Sequence, residues 1–303
     1  MVTNSTKDRN LVNMENKKNI ALVLSSGGAK GIAHIGAIEE LIRQGYNITS
    51  VSGSSIGAVI GGLVAMNKLD EYSAWIKTLD RFDVWGLMDF SFASTGLLKG
   101  ERVFDRMKKF IPDVNIEDMN IPFAAVASDI MNEKEIVFNK GSYYKAARAS
   151  IAIPAMFTPV RYNGTFLVDG GILNPVPIDH VQRTENDLLV AINLYGDKLP
   201  KSESVDQKKE EKDKNGYHKL MKTFSSLVDS GDKESLGYIS LLTTSTAAMI
   251  HKLARMNIEK HKPDIVIDLP ADSANTFDFH RAEELLQLGA GAASRAISSV
   301  AVK

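Results

Sequence analysis

Short apolar runs without alternation recur along the chain, each followed by a turn rich in glycine or serine and then by an apolar stripe of helical period. Residues 20–26 (IALVLSS) form the first run, the pattern of a strand buried on both faces of a parallel sheet. A glycine-rich turn follows. Ile32, Ile35, Ile38, Leu41 and Ile42 then fall on one helical stripe, which Gly45 is placed to end in a left-handed conformation. Residues 48–52 predict a second strand, and an apolar helix runs on to Met66. Strand, turn and helix repeated in this way make a βαβα unit.

The middle of the chain alternates likewise. Helices are expected over 70–79, 101–110 and 142–150, and a strand over 121–130, with 132–139 returning as a hairpin arm. Asn163-Gly164, between 160–162 and 165–168, predicts a type I′ hairpin. Residues 188–194 and 264–269 predict two more buried strands, and 281–300 a closing helix. Two stretches break the pattern. Residues 1–18 are polar and are expected to be a mobile leader; 198–219 are crowded with lysine and glutamate and predict a solvated, disordered insertion. Residues 236–250 are uncharged and rich in Leu, Ile, Ala and Thr. The preferred reading is a core helix; the other is a helix that covers an acyl groove or touches lipid.

With 303 residues the chain is long enough to bury a large core without a disulfide or a structural metal. The charge is balanced, 36 Lys+Arg against 37 Asp+Glu, which argues against broad electrostatic binding of nucleic acid. The absence of cysteine removes thiol catalysis, Fe–S clusters and Cys-ligated zinc. Neither H-E-x-x-H nor EF-hand spacing occurs, so no metal and no cofactor are expected. Residues 56–66 are too short an apolar stretch to span a bilayer, and 1–18 lack the apolar region of a secretory signal. The expected location is cytoplasmic, with at most peripheral contact with a membrane.

Three clusters can carry chemistry. Gly53-x-Ser55-x-Gly57 follows a strand and opens an apolar helix, the pattern of a nucleophile elbow. There a serine hydroxyl is pushed out of the sheet on a sharp turn and the helix N-terminus behind it favours developing negative charge. The plainer alternative is a tight Gly/Ser turn. Ser26-Gly27-Gly28-Ala29-Lys30-Gly31 opens the first helix, where converging backbone N–H groups can hold an anion, either a nucleotide phosphate or the oxyanion of an acyl intermediate. The loop fits neither nucleotide fingerprint, and no acid ends the second strand to hold a ribose. Asp169-Gly170-Gly171 ends the strand at 165–168, either as a catalytic acid or as a turn aspartate bonding its own backbone. Of the six histidines none follows an acid in a recognisable turn; His180 and His280 are the two that remain candidates for a base.

Taken in order, Ser-Gly-Gly-Ala-Lys-Gly, Gly-Ser-Ser-Ile-Gly and Asp-Gly-Gly resemble the motifs of the patatin-like phospholipase family. The resemblance runs from Ile20 to about Leu194, more loosely through Phe279–Ala293, and includes Ile153-Pro154-Ala155-Met156-Phe157-Thr158-Pro159-Val160. It implies a three-layer α/β/α sandwich with a mainly parallel central sheet, in one domain over 19–303. It also implies a lipid acyl hydrolase with a Ser–Asp dyad and no catalytic histidine. Ser55 would be the nucleophile and Asp169 the general base, 114 residues apart. Gly27, Gly28, Ala29 and Lys30 would form the oxyanion hole, with Gly53, Gly57, Gly170 and Gly171 as the glycines of the elbow and turn. Ser26 stands where the family usually has the first of three glycines. The substrate would be a phospholipid, lysophospholipid or neutral lipid, with transient contact at a membrane surface. Acyl transfer or thioester hydrolysis could use the same dyad, and a different class is a non-catalytic protein that binds an anion or lipid.

Overall fold

The structure, a computed structural model, describes residues 18–89, 96–198 and 238–301. Lys18, expected in the leader, begins β1; the rest of the leader and all of the insertion expected at 198–219 except Lys198 lie outside the described residues. In chain order the elements begin β1 (Lys18–Leu24), α1 (Ile32–Arg43), β2 (Tyr46–Ser54), α2 (Ile56–Ala65), α3 (Leu69–Ile76), α4 (Arg81–Gly86), β3 (Gly96–Leu98) and α5 (Arg102–Met107). They continue with β4 (Phe123–Asp129), β5 (Lys134–Phe138), α6 (Tyr143–Ser150), β6 (Ala155–Phe157), β7 (Val160–Tyr162) and β8 (Thr165–Asp169). The chain closes with β9 (Leu188–Gly196), α7 (Tyr238–His261), β10 (Ile265–Pro270) and α8 (Ala282–Ala301).

The main sheet has the order β10-β9-β1-β2-β4-β8-β7, with β5 paired to β4. From β10 to β4 the strands are parallel; β5 and β8 run antiparallel to β4, and β7 antiparallel to β8. The parallel strands are apolar on both faces because both are covered. Ile20, Leu22, Leu24, Val190 and Ile192 face a core with α1, α2 and α8, and Val23, Leu189 and Ala191 face Ala254 of α7. This is the expected α/β/α sandwich. The Asn163-Gly164 turn has φ values of 46° and 83°, as a type I′ turn between β7 and β8 requires.

Two parts differ from the sequence expectation. A core helix was expected at 236–250, of which 236 and 237 lie outside the described residues; from Tyr238 onward α7 buries Ala254, farther along, whereas Leu241, Leu242 and Met249 are exposed. The sequence pattern also gave no sign of α4, nor of the small parallel sheet of β3 and β6. Both are too short to leave a period, and α4 is set by a capping box between Asp80 and Asp83.

Candidate active site

Ser55 stands between the end of β2 and the start of α2 with φ 55° and ψ −126°, a left-handed backbone that is strained for a serine. The turn is held from below. A Cβ at Gly57 would collide with the carbonyl of Leu24 on the neighbouring strand, so the helix can start this close to β1 only with glycine there. The Ser55 amide donates to Ser150 Oγ at 2.8 Å, and Ser150 Oγ donates to Val126 O at 2.5 Å. The elbow is thereby tied to α6 and β4.

Asp169 arrives from the other side. At the end of β8 it pairs with Ala127 of β4, itself next to β2, and this register brings the carboxylate to the serine. Ser55 Oγ donates to Asp169 Oδ2 at 2.5 Å. The other carboxylate oxygen accepts from the Gly171 amide at 2.7 Å, within the tight turn of Gly170 and Gly171. Burial pushes the Asp169 pKa up from 3.8 to about 7, against the opposing pull of the hydrogen bonds from Ser55 and Gly171. Among the described residues no histidine bonds to either: His34 is buried against Ser25 O, His180 pairs with Glu135, and His280 accepts from Arg81 Nε.

The loop at 26–31 forms one short turn after β1. The Ala29 amide donates to Thr276 O at 3.0 Å and is not available to a ligand in this arrangement. The amides of Gly27 and Gly28 have no acceptor among the described residues. Lys30 sends its ammonium beneath the loop, to Leu194 O at 2.9 Å and Ala271 O at 3.0 Å. Burial lowers its pKa to about 8, with Asp272 pulling the other way. Ser26, where glycine was expected, shares a 2.5 Å hydrogen bond with the Tyr195 hydroxyl.

A further set of residues escaped the sequence reading. Ser50, Ser52 and Ser54 alternate along β2 and donate to the carbonyls of Gln182, Pro177 and Asn174. They pin the segment after Asp169 to the strand that carries Ser55. The signal was present as serine at every second position, inside a run read only for its apolar members.

Gly28 and Ser55 line one cavity. Its wall is made by α2, α3 and α5 together with the segment at 151–157, through side chains such as Val59, Trp75, Phe104, Met107 and Phe157. Among the described residues lining it, Asp89 alone is charged, and its carboxylate is engaged by the amides of Gly100, Glu101 and Arg102. An apolar cavity lined by Ser55, whose hydroxyl bonds Asp169, suits a hydrocarbon attached to a polar, reactive centre.

Comparison with known proteins bears on the family and the fold. Residues 22–181 match the patatin-like phospholipase family. An uncharacterized NTE family protein of Mycobacterium tuberculosis is 28% identical over 92% of this chain and 91% of its own length. The lysophospholipase NTE1 of Meyerozyma guilliermondii is 25% identical over 89% of this chain, which corresponds to 18% of that longer protein. Among solved structures, VipD from Legionella pneumophila superposes with a TM-score of 0.53 at 15% identity, covering 93% of this chain and 67% of VipD. That likeness concerns the fold alone.

Proposed function

The chain belongs to the patatin-like phospholipase family, and on that premise we propose that it is a serine acyl hydrolase cleaving fatty-acyl esters of phospholipids, lysophospholipids or neutral lipids. The observation that carries the proposal is the 2.5 Å hydrogen bond from Oγ of Ser55, which lines the apolar cavity, to Asp169. Ser55 Oγ attacks the ester carbonyl while its proton passes to Asp169 Oδ2. The amides of Gly27 and Gly28 receive the oxyanion, and preorganised donors of this kind contribute about 3–4 kcal/mol each to transition-state stabilisation. Asp169 then protonates the departing alcohol, leaving an acyl-Ser55 ester. A water molecule that gives its proton to Asp169 hydrolyses this ester, and the serine recovers its proton as the fatty acid leaves.

A carboxylate near its ordinary pKa is a weak base at neutral pH, whereas one at about 7 is matched to the task. Ala29 and Lys30 then serve to hold the oxyanion loop, Ala29 through Thr276 and Lys30 through Leu194 and Ala271. Substrates of this class reside in a membrane or micelle, so turnover involves at least transient contact with a lipid surface. Lysophosphatidylcholine is the first substrate to try, since the fungal relatives are lysophospholipases. Release of fatty acid by the wild type, absent in Ser55→Ala, supports the proposal. A folded wild type inert toward lysophosphatidylcholine and p-nitrophenyl butyrate alike would count against it.

A further inference from the structure

The first half of α7 plays no part in the chemistry, yet it stands beside it. The second half is fixed to the sheet. Ala254 and Ile258 pack with Val23, Leu189 and Ala191, and Asn257 Nδ2 donates to Asn174 Oδ1 at 2.9 Å and to Val176 O at 3.2 Å. The His251 ring meets Tyr195, at the carboxyl end of β9, at 4.9 Å. From α7 the chain turns back into β10, parallel to β9 and β1, so α7 runs antiparallel to these strands. Residues 238–250 therefore extend past the carboxyl edge of the sheet, the edge that carries Ser55. At 1.5 Å per residue this overhang is about 20 Å long.

Its surface is unusual for a helix with water on most sides. Every position from 241 to 249 is exposed or half-exposed, and Leu241, Leu242 and Met249 are 49%, 51% and 60% exposed. No residue from 238 to 250 is charged, and no carboxylate occurs from 238 to 258. The first full charges are Lys252 and Arg255, exposed at the foot of the overhang; Arg255 lies 3.7 Å from the exposed Asp197.

The geometry points to α7 as a membrane arm: residues 238–250 enter the acyl region of an anionic phospholipid surface, while Lys252 and Arg255 take the headgroup level. This deepens the reading of a lipid hydrolase, on which its purpose rests, by setting the carboxyl edge and Ser55 against the lipid. Insertion is shallow, since no described helix is long and apolar enough to cross a membrane. Charge favours a lipid surface over a second copy of the chain. A paired helix would bring Lys252 and Arg255 to a face on which residues 238–258 supply no carboxylate.

Co-sedimentation of the full chain with phosphatidylcholine vesicles, with and without about one quarter phosphatidylserine, tests the proposal. The wild type should partition onto the anionic vesicles. Leu242→Glu/Met249→Glu should lower partitioning at least about tenfold, and Lys252→Ser/Arg255→Ser should lower it on the anionic vesicles only. Both variants should cleave soluble p-nitrophenyl butyrate within about twofold of the wild type. Loss of docking and failure of the hydrolase reading are thereby told apart. Leu242→Trp, which keeps the surface apolar, gives an independent signal, an emission blue shift when vesicles are added. A wild type that stays in the supernatant with no blue shift, or unchanged partitioning of Leu242→Glu/Met249→Glu, overturns the proposal. So does a wild-type dimer that this double variant converts to monomer, which would assign the face to a second copy.

Discussion

Replacing Asp169 by asparagine should make the protein more stable and nearly inactive at once. The carboxylate is buried, and the rise of its pKa from 3.8 to about 7 means that the charged form is disfavoured by about 4 kcal/mol relative to the unfolded chain. The sign follows from proton counting. Between pH 3.8 and 7 the folded state keeps the proton that the unfolded state has released, so stability falls as pH rises through this window and the full cost is present above it. Asparagine has the same shape and no charge. Its oxygen can accept from the Gly171 amide, and its NH₂ can donate to Ser55 Oγ, so both hydrogen bonds survive with one reversed. At pH 8 the variant should therefore gain up to about 4 kcal/mol, about 6 °C in Tm for a chain of this length. The gain should shrink towards zero by pH 4, where the native carboxyl is neutral as well. The comparison within one pair cancels the acid sensitivity of other carboxylates held low by hydrogen bonds, such as Asp129 and Glu135. Ester hydrolysis should fall by about 10²–10⁴, the usual contribution of a general base. Thermal unfolding at several pH values together with hydrolysis rates is the assay. A variant less stable than the wild type at pH 8, or a stability difference that does not change with pH, would refute the buried-charge reasoning.

Other outcomes follow from the same geometry. The wild-type kcat/KM should fall about tenfold per pH unit below pH 7, as Asp169 takes up its proton, and a profile flat down to pH 5 would contradict the role of the carboxylate. Trp75→Ala should enlarge the cavity and shift the preference towards longer acyl chains, by up to about fourfold in kcat/KM for each carbon newly accommodated; a series of p-nitrophenyl esters checks this. Ser150→Ala leaves the Ser55 amide and the Val126 carbonyl without their buried partner, and should cost about 1–3 kcal/mol in denaturant unfolding together with a lower kcat.

What could be read in the sequence was what local chemistry decides. The runs at 20–26 and 188–194 became parallel strands because strands covered on both faces leave an unbroken apolar run. The Asn163-Gly164 turn was visible because its positive φ values select those residues. The three glycine motifs were legible because close backbone approaches leave room for nothing larger, as at Gly57. What was not legible depends on partners far along the chain. Nothing near Ala29 announces that its amide is taken by Thr276, or that Lys30 reaches Leu194 and Ala271. The alternating serines of β2 have meaning only once the segment after Asp169 lies beside them. For α7 an uncharged helical stretch was legible before His251, but whether its face meets a core or solvent depends on where the sheet ends.

The central claim is that Ser55 is the acylated nucleophile, and reaction with a fluorophosphonate followed by peptide mapping tests it most directly. One adduct on the peptide containing Ser55, absent in Ser55→Ala and formed much more slowly in Asp169→Asn, is the predicted result. A folded wild type that stays unlabelled, or an adduct on another serine that persists in Ser55→Ala, would contradict it.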